Sequence, residues 1–507
     1  MGYVRDLLIA RYLGAGIISD SFFVAFKLPN LFRRLFAEGA MNSAFIPVIS
    51  GIQIKDGKRK AVEFLSESIS LIFLFLLVLV ITFELFMPTI ISLIAPGFVE
   101  DKEKFELAVK FSRLTFPFLV FISVSSLIGG YLNTMRKFAA MAFTPVILNI
   151  SMISALLFFE LDQSNKVLNT QYLSLSISLA GVLQLIWLLF YLRKIGIFLE
   201  FKKIFSKTLF KISRESKKLF KLFLPAAIGN GVYQINLLID MILASTLPAG
   251  SISYLFFSDR VNQLPLGVLG IALSTALLPI LSEQIKKNNL KDANASINNC
   301  LQLSFLFAIP ASLGLIGLSN EIINFLFVRG EFTSESAKLT SLSLCALSFG
   351  LPAFILIKVL AVCFFSREDT KTPVYVALIT MIINLILNLI LIDYFLHVGL
   401  AIATSISAWL NAIILLVILK KRKLITIDNK TVQIFFKSIF SSIVMFFIIN
   451  YSSNLVQFNY FLAESFIEKL VILSLLIIIG IFIYSILMYF FKASNLLDLK
   501  KEKDNSK

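Results

Sequence analysis

Charged side chains interrupt an apolar stretch near the start of the chain. The charges between positions 20 and 38 are Asp20, Lys27, Arg33, Arg34 and Glu38. A charge at membrane depth costs from about 2.5 kcal/mol upward, so such residues normally face a protein interior or a watery cavity. Guanidinium groups carry fixed donors that match the oxygens of phosphates and carboxylates. Cations in this setting predict a cavity that receives an anionic ligand.

A second polar group lies in the later part of the chain. Its members are Asp240 within an apolar run, Asn384, Asn388 and Thr404. Asn384 and Asn388 are four residues apart and therefore share one face of a helix. A carboxylate with amide and hydroxyl oxygens predicts a site for Na⁺ or H⁺ that couples the protein to an ion gradient. Hydrogen bonding between helices, which is common for Asn and Thr in membranes, is the alternative.

Several chemistries are excluded by residue types. The only histidine is His397, which the sequence places in an outer loop, so a His-based metal site and Ser-His or Cys-His catalysis are not expected. The three cysteines are odd in number and lie in or beside apolar runs, which favours buried thiols over a disulfide framework. No P-loop is present. We therefore expect a protein that is not an enzyme and holds neither a metal nor an organic cofactor.

The elements that carry these residues are membrane helices. The chain is 58% hydrophobic and 15% charged, against about 25% charged for an ordinary soluble protein. Apolar runs of helical period and roughly 20 residues recur, which is the length that crosses a bilayer. The predicted spans centre near 24–48, 68–93, 114–132, 140–159, 173–192, 219–244, 254–281, 300–317, 339–364, 374–392, 400–419, 434–449 and 470–490, after an opening half-span at 2–13. We predict an all-α polytopic membrane protein with about 14 transmembrane helices.

Basic residues are concentrated in alternate loops and in the tail. These clusters lie at 55–60, 136–137, 193–221, 286–291, 367–371, 420–423 and 500–507. The positive-inside rule places this set, including the C-terminus, in the cytoplasm. The net charge of +16 is therefore a signal of topology, and no nucleic-acid partner is expected.

The sequence also repeats itself. Residues 14–50 resemble residues 248–282 at an offset near 234, and the PGF motif at 96–98 resembles RGEF at 329–332. An offset of six helices predicts two six-helix lobes in parallel orientation, with cargo bound between them. The expected divisions are an N-terminal lobe at 1–200, a basic cytoplasmic amphipathic linker at 201–221, a C-terminal lobe at 222–425, an extra helix pair at 432–492 and a basic cytoplasmic tail at 493–507.

Motifs spread over most of the chain are similar to one known family. They are GYVRDLLIARYLGAG, SDSFFVAFKLPNLFRRLFAEGAMNSAFIPV, APGF, LTFPFL, YLNTMRKFAAMAFTPVILNISMI, DRVNQLPLGVLGIALSTALLPILS and KVLAVCFFSREDTKTPV. They resemble the MurJ (MviN) lipid II flippases of the multidrug/oligosaccharidyl-lipid/polysaccharide exporter superfamily. The resemblance implies fourteen helices in the bacterial inner membrane and transfer of lipid II, an undecaprenyl pyrophosphate that carries a disaccharide-pentapeptide, to the periplasmic leaflet.

The resemblance also implies site residues and partners. The cavity arginines carried over by motif are Arg5, Arg33 and Arg260, and Asp20 is a further functional position. The extra helix pair corresponds to a groove for the lipid tail. Lipid II, membrane lipids and proteins of cell-wall synthesis and division are the expected partners. Family members begin with a Ser-Arg pair ahead of GYVRD, so we expect the natural start to lie upstream of Met1.

Other interpretations of these residues stay open. Arg33 and Arg34 could reach the cytoplasmic interface, Asp259 could pair with Arg260, and Arg5 could be an interfacial anchor. The alternative functions are a polysaccharide-lipid flippase or multidrug exporter of the same superfamily, and a non-transporting scaffold for cell-wall assembly.

Overall fold

The structure is a computed structural model that describes residues 1–34, 40–159, 165–199, 213–462 and 465–492. Every regular element in these ranges is helical. The described chain divides into two compact units, Met1–Ser253 with Arg329–Phe332, and Tyr254–Val328 with Thr333–Lys507. The two lobes predicted from the repeat remain a prediction, because these units follow spatial clustering and not the repeat.

The first unit contains eleven α-helices among its described residues. They are α1 (Gly2–Leu13), α2 (Ile17–Arg33), α3 (Ala40–Lys55), α4 (Gly57–Leu85), α5 (Met87–Ile94), α6 (Lys102–Thr115), α7 (Phe118–Thr134), α8 (Phe138–Ala142), α9 (Thr144–Phe158), α10 (Lys166–Lys194) and α11 (Arg214–Ser245). A 3₁₀ turn, Pro96–Glu100, joins α5 to α6. Helix α2, which holds Asp20 and Arg33, is fixed by stacked Phe22 and Phe26 and by a hydrogen bond of 2.8 Å from Thr115 Oγ1 in α6 to the carbonyl of Ala25.

The described residues of the second unit form the remaining eight α-helices. They are α12 (Ser251–Pro265), whose first turn belongs to the first unit, α13 (Ala272–Lys286), α14 (Leu290–Gly317), α15 (Ser319–Phe327), α16 (Ser334–Phe365), α17 (Lys371–Lys421), α18 (Asn429–Leu462) and α19 (Phe466–Phe490). A π-helical turn, Leu266–Ile271, links α12 to α13. The core of this unit joins α13, α14, α16 and α17 through buried residues that include Leu281, Leu301, Val359 and Leu415.

The membrane class predicted from composition is confirmed. Within the described residues, ten helical stretches are long and apolar enough to cross a bilayer, and Ala44–Lys55 and Gln234–Ser245 are shorter apolar helices. One of the ten, α17, breaks at Leu396, whose φ of 51° is not helical, so its two parts correspond to the two spans predicted at 374–392 and 400–419. The chain is thus an all-α, multi-pass membrane protein.

Some local predictions differ from the structure. The span predicted at 24–48 begins earlier, at Ile17, because Gly14 ends α1 and Gly16 is the N-cap of α2. His397 does not lie in an open loop: it is buried directly after the break at Leu396, and its Nε2 lies 3.2 Å from the carbonyl oxygen of Leu339.

Other predicted segments fall partly outside the described residues. Residues 214–221 of the predicted linker form the first turns of α11. Glu38, positions 201–212 and the tail at 493–507 lie outside the described part of the chain.

Candidate functional site

Asp20 is the centre of a buried polar cluster in the first unit, which we call the clasp and which also contains Ser19, Lys104, Gly250 and Ser253. Its carboxylate has no exposed surface and lies in the first turn of α2. It accepts hydrogen bonds from the backbone N–H of Gly250 at 2.7 Å and from both the N–H and the hydroxyl of Ser253, at 2.9 and 2.7 Å. Since Ser251 begins α12, these donors belong to the N-terminus of that helix, where a negative charge is stabilised by the helix dipole.

Lys104 completes the clasp from a third helix. Its Nζ lies 3.2 Å from Asp20 Oδ2, and the side chain is only 6% exposed. The same ammonium lies 4.3 Å from the centroid of the Phe98 ring, a cation–π contact that compensates part of its lost hydration. The Ser253 hydroxyl also lies 2.9 Å from the hydroxyl of Ser19. The clasp therefore joins α2, α6 and the start of α12.

Two glycine turns of the first unit make matching contacts. Gly97 packs against the end of α11, where a Cβ on it would lie 2.3 Å from the carbonyl oxygen of Ser245. Gly330 packs against the end of α1, where a Cβ would lie 2.3 Å from the carbonyl oxygen of Arg11. Gly330 follows Gly97 by 233 positions, and Ser245 follows Arg11 by 234, which is the offset that relates the two halves of the sequence. The repeat is therefore visible in contacts as well as in residue types.

Arg5 is buried within the first unit. Its Nε and Nη2 donate to Asp6 Oδ1 at 2.9 and 2.7 Å, and its Nη1 donates to Asn149 Oδ1 of α9 at 3.0 Å. The guanidinium also lies 5.5 Å from the centroid of Phe26. Arg5 is thus held by α1, α2 and α9, with most of its donors used by the protein itself.

Arg33 and Arg260 are both half-buried and lie in different units. Arg33, in the last turn of α2, donates from Nε to Asn30 Oδ1 at 3.0 Å. Arg260, in α12, lies with its guanidinium 4.7 Å from the centroid of Phe256. The neighbouring Asp259 accepts a hydrogen bond from Gln263 one turn later. The convergence of Arg5, Arg33 and Arg260 on one ligand stays a prediction.

The predicted cation group is divided between the units. Asp240 is half-buried in α11 of the first unit, whereas the other three residues lie in α17 of the second. There Asn388 Nδ2 donates to Asn384 Oδ1 at 3.1 Å, and Thr404 Oγ1 donates to its own helix at the carbonyl of Leu400. In the described part of the chain, no cluster of three His, Cys, Asp or Glu residues could hold a metal ion. An ion site that includes Asp240 remains a prediction.

An apolar cavity of about 790 Å³ lies in the second unit. Its walls come mainly from α14, α18 and α19, with one residue each from α12 and α15, and the residues that line it include Phe307, Gly314, Met445, Gly480 and Tyr484. The Tyr484 hydroxyl, the polar end of that side chain, donates to the carbonyl of Leu306 at 2.7 Å, so the surface left to the cavity is mostly hydrocarbon. Such a cavity is suited to an acyl or prenyl chain.

Comparison with known proteins places this arrangement in one family. The family model described as lipid II flippase MurJ matches residues 9–471. A Rickettsia prowazekii (strain Madrid E) protein, named probable lipid II flippase MurJ, is 38% identical over 494 residues that cover 97% of this chain and 95% of that protein. The chain belongs to the MurJ lipid II flippase family. A Haemophilus influenzae MurJ of the same name is 35% identical and covers 88% of both chains.

Solved structures agree with membership of the MurJ family. A lipid II flippase MurJ in an inward closed conformation aligns with a TM-score of 0.80 and 29% identity over 97% of this chain and 96% of its own. A multidrug resistance MATE transporter of the MOP superfamily, inward-facing, aligns with a TM-score of 0.67 over 83% of this chain at 14% identity, a likeness of fold alone. The family predicted from the motifs is confirmed.

Sequence reasoning about this MurJ family member missed most of the clasp. Asp20 was predicted as a functional position, but Lys104, Gly250 and Ser253 were not singled out. One signal was available, because an acidic residue in the first turn of a helix often meets backbone N–H groups. No signal in the sequence indicated that those groups come from another helix some 230 positions away.

Proposed function

We propose that this chain moves lipid II from the cytoplasmic to the periplasmic leaflet of the bacterial inner membrane. The observation that carries the proposal is the match to MurJ over nearly the whole length, from the family model to the relatives and the aligned structure. The alternation of basic and non-basic loops supports a cytoplasmic location for the basic loops and the C-terminus. The likeness to a MATE transporter concerns the fold only, so it is not an argument for drug export.

The arginines would bind the pyrophosphate of lipid II. Arg33 and Arg260 are half-buried, so cargo can reach them, and guanidinium remains charged at any working pH. Arg5 would contribute by exchanging its contact with Asp6 for a phosphate oxygen. In contrast, the enclosed carboxylate of Asp20 favours a role in the clasp over direct contact with an anionic cargo, because two negative charges repel.

The undecaprenyl tail would occupy the apolar cavity of the second unit. The cavity lies beside the extra helix pair, α18 and α19, and offers about 790 Å³ of mostly hydrocarbon surface. Burial there would gain roughly 25 cal/mol for each Å² of apolar surface removed from water, but little relative to lipid, so the cavity would position the tail more than hold it.

The clasp would close one side of the transport path during alternating access. Ser19 and Ser253, whose hydroxyls lie 2.9 Å apart, offer a direct probe of that closure. A Ser19→Cys/Ser253→Cys double variant should form a disulfide that stops transport, and reduction should restore it. Continued flipping at the normal rate by the oxidised protein would refute a moving clasp.

A gradient of Na⁺ or H⁺ would supply energy through Asp240 and the amide pair Asn384 and Asn388. The support is chemical: the two amides are buried and already ordered by a mutual hydrogen bond, and Asp240 is an acid within an apolar helix. Proteins of cell-wall synthesis and division are expected partners on the basis of the cargo alone.

A reconstituted assay tests the proposed function. Purified protein is placed in liposomes that carry fluorescent lipid II in both leaflets, and a membrane-impermeant quencher reports the fraction that reaches the outside. We expect protein-dependent exposure of inner-leaflet lipid II, faster than that of a fluorescent phospholipid. Exposure no faster than in protein-free liposomes would refute it, and equal rates for both lipids would favour an unspecific scramblase.

A further inference from the structure

A second cavity, of about 430 Å³, lies in the first unit between the start of α4 and the chain that follows α10. Helix α4 begins at Gly57, α10 ends at Lys194, and both are long and apolar enough to cross a bilayer. The cavity therefore lies where two membrane spans end, which is the depth of the lipid headgroups.

A glycine turn forms the apolar wall of this cavity. Gly196 has a φ of 74°, which glycine adopts readily, and it reverses the chain directly after α10. The next backbone N–H, that of Ile197, donates to the carbonyl of Leu192 at 3.0 Å. The turn places Ile197 and Phe198 at the cavity, where Val62 of α4 adds a third apolar side chain. Ile197 is buried, whereas the Phe198 ring is 70% exposed, so the wall offers hydrocarbon surface to a ligand.

Two cations from the first turn of α4, Lys58 and Arg59, also line the cavity. Glu63, which lies beside them, is 3.5 Å from Arg59 Nε in an exposed pair, and such a pair holds its members only weakly. In the part of the chain that the structure describes, no carboxylate pairs with Lys58. The lining side chains therefore carry a net positive charge that an anion can neutralise.

The position and the two kinds of wall identify the class of ligand. A soluble phosphate ester would use the cations and leave the apolar wall without a partner. An anionic lipid uses both, and basic pockets between membrane helices on the cytoplasmic side are known to bind such headgroups. We propose that this cavity binds an anionic phospholipid, with its phosphate on Lys58 and Arg59 and its glycerol and first acyl carbons on Val62, Ile197 and Phe198. The bound lipid would join the start of α4 to the chain after α10.

A titration with labelled lipid tests the site. Phosphatidylglycerol with a fluorescent acyl chain is added to the purified full chain in detergent micelles, in the absence of lipid II, so the result does not depend on the proposed function. Each cation near an anionic lipid is worth about fivefold in affinity, so Lys58→Gln/Arg59→Gln should bind about thirtyfold more weakly. Lys55→Gln/Lys60→Gln is the matched control, because it removes the same charge from the same stretch without touching the lining. We expect it to weaken binding by no more than about threefold.

A substitution that should strengthen binding guards against a trivial loss of fold. Glu63 lines the cavity and repels a phosphate, so Glu63→Gln should bind the labelled lipid about fivefold more tightly than the unaltered chain. A misfolded variant would not gain affinity. Unchanged or weaker binding by Glu63→Gln would contradict the placement of the phosphate beside the two cations.

Competition separates the lipid from other ligands. Unlabelled phosphatidylglycerol should displace the probe, whereas phosphatidylcholine and glycerol 3-phosphate at the same concentration should not. Displacement by glycerol 3-phosphate as effective as that by phosphatidylglycerol would show a site for soluble phosphate esters and overturn the lipid assignment. Equal displacement by phosphatidylcholine would show that the cavity does not select charge. Equal losses in the two double variants would show a diffuse surface attraction in place of a site.

Discussion

The pair of Asp20 and Lys104 should dominate the stability of the first unit around the clasp. Both side chains are almost fully buried, with Nζ and Oδ2 3.2 Å apart. Removing one partner of a buried ion pair leaves an uncompensated charge, at a cost of about 3–5 kcal/mol. We expect Asp20→Asn to destabilise the protein by that amount, because its amide also presents a donor to the N–H groups of Gly250 and Ser253.

A double-mutant cycle isolates the interaction. Lys104→Met should cost less, about 1–3 kcal/mol, because the carboxylate keeps three hydrogen bonds from Gly250 and Ser253. The double variant contains no stranded charge, so we expect it to be more stable than the sum of the single effects predicts, by about 2 kcal/mol.

The assay is equilibrium unfolding of purified protein in mixed micelles with increasing denaturing detergent. Lys102→Met is the matched control, since Lys102 lies in the same helix with its side chain 91% exposed, and it should leave the transition unchanged. Additive single effects, within about 0.5 kcal/mol, would refute the coupling inferred from the distance.

Four further predictions follow from other parts of the structure. Gly330→Ala should lower the free energy of unfolding by more than Gly196→Ala in the same assay. Both glycines have positive φ, so each substitution should cost about 1 kcal/mol in backbone strain. Only at Gly330 would the new Cβ also clash with a carbonyl oxygen. Gly314→Phe should fill the apolar cavity and weaken binding of long-chain lipid II while sparing a short-chain analogue; equal loss for both chain lengths would refute the tail assignment. Asp240→Asn should reduce transport and its dependence on a Na⁺ or H⁺ gradient together; unchanged dependence in flux measurements would leave Asp240 outside any coupling site. Hydrogen bonds from Thr372, together with Arg422, lower the pKa of Asp369 below 3.8. The stability that wild type gains over Asp369→Asn should therefore be complete above pH 3.8 and should disappear as the pH falls through the lowered pKa. A difference in melting temperature that does not depend on pH would contradict this.

The helical framework could be predicted from the sequence because a helix that crosses a bilayer needs about 20 apolar residues. Runs near 20 apolar residues and alternating loop charge sufficed for the membrane class. Boundaries were harder to predict where the break is short. The α17 helix turns at a single residue, Leu396, with no polar segment to mark a loop, so His397 was placed in an outer loop when it is in fact buried.

The candidate site was only partly predictable, for a different physical reason. Asp20 and the arginines could be selected as candidates because a charge in an apolar run is costly, and the role of the arginines stays a prediction. Their partners could not, since a hydrogen bond to a backbone N–H, such as that from Gly250 to Asp20, leaves no trace in residue type.

Transport of lipid II by the arginine-bearing chain is tested most directly in cells. A strain depleted of its own lipid II flippase is supplied with this chain or with its Arg260→Ala variant, and lipid II at the outer face of the inner membrane is quantified with an impermeant probe. We predict that the unaltered chain restores surface lipid II and growth, and that the variant restores neither at equal membrane abundance. Restoration of surface lipid II by both chains would contradict the assigned role of the arginine, and restoration by neither would contradict the function itself.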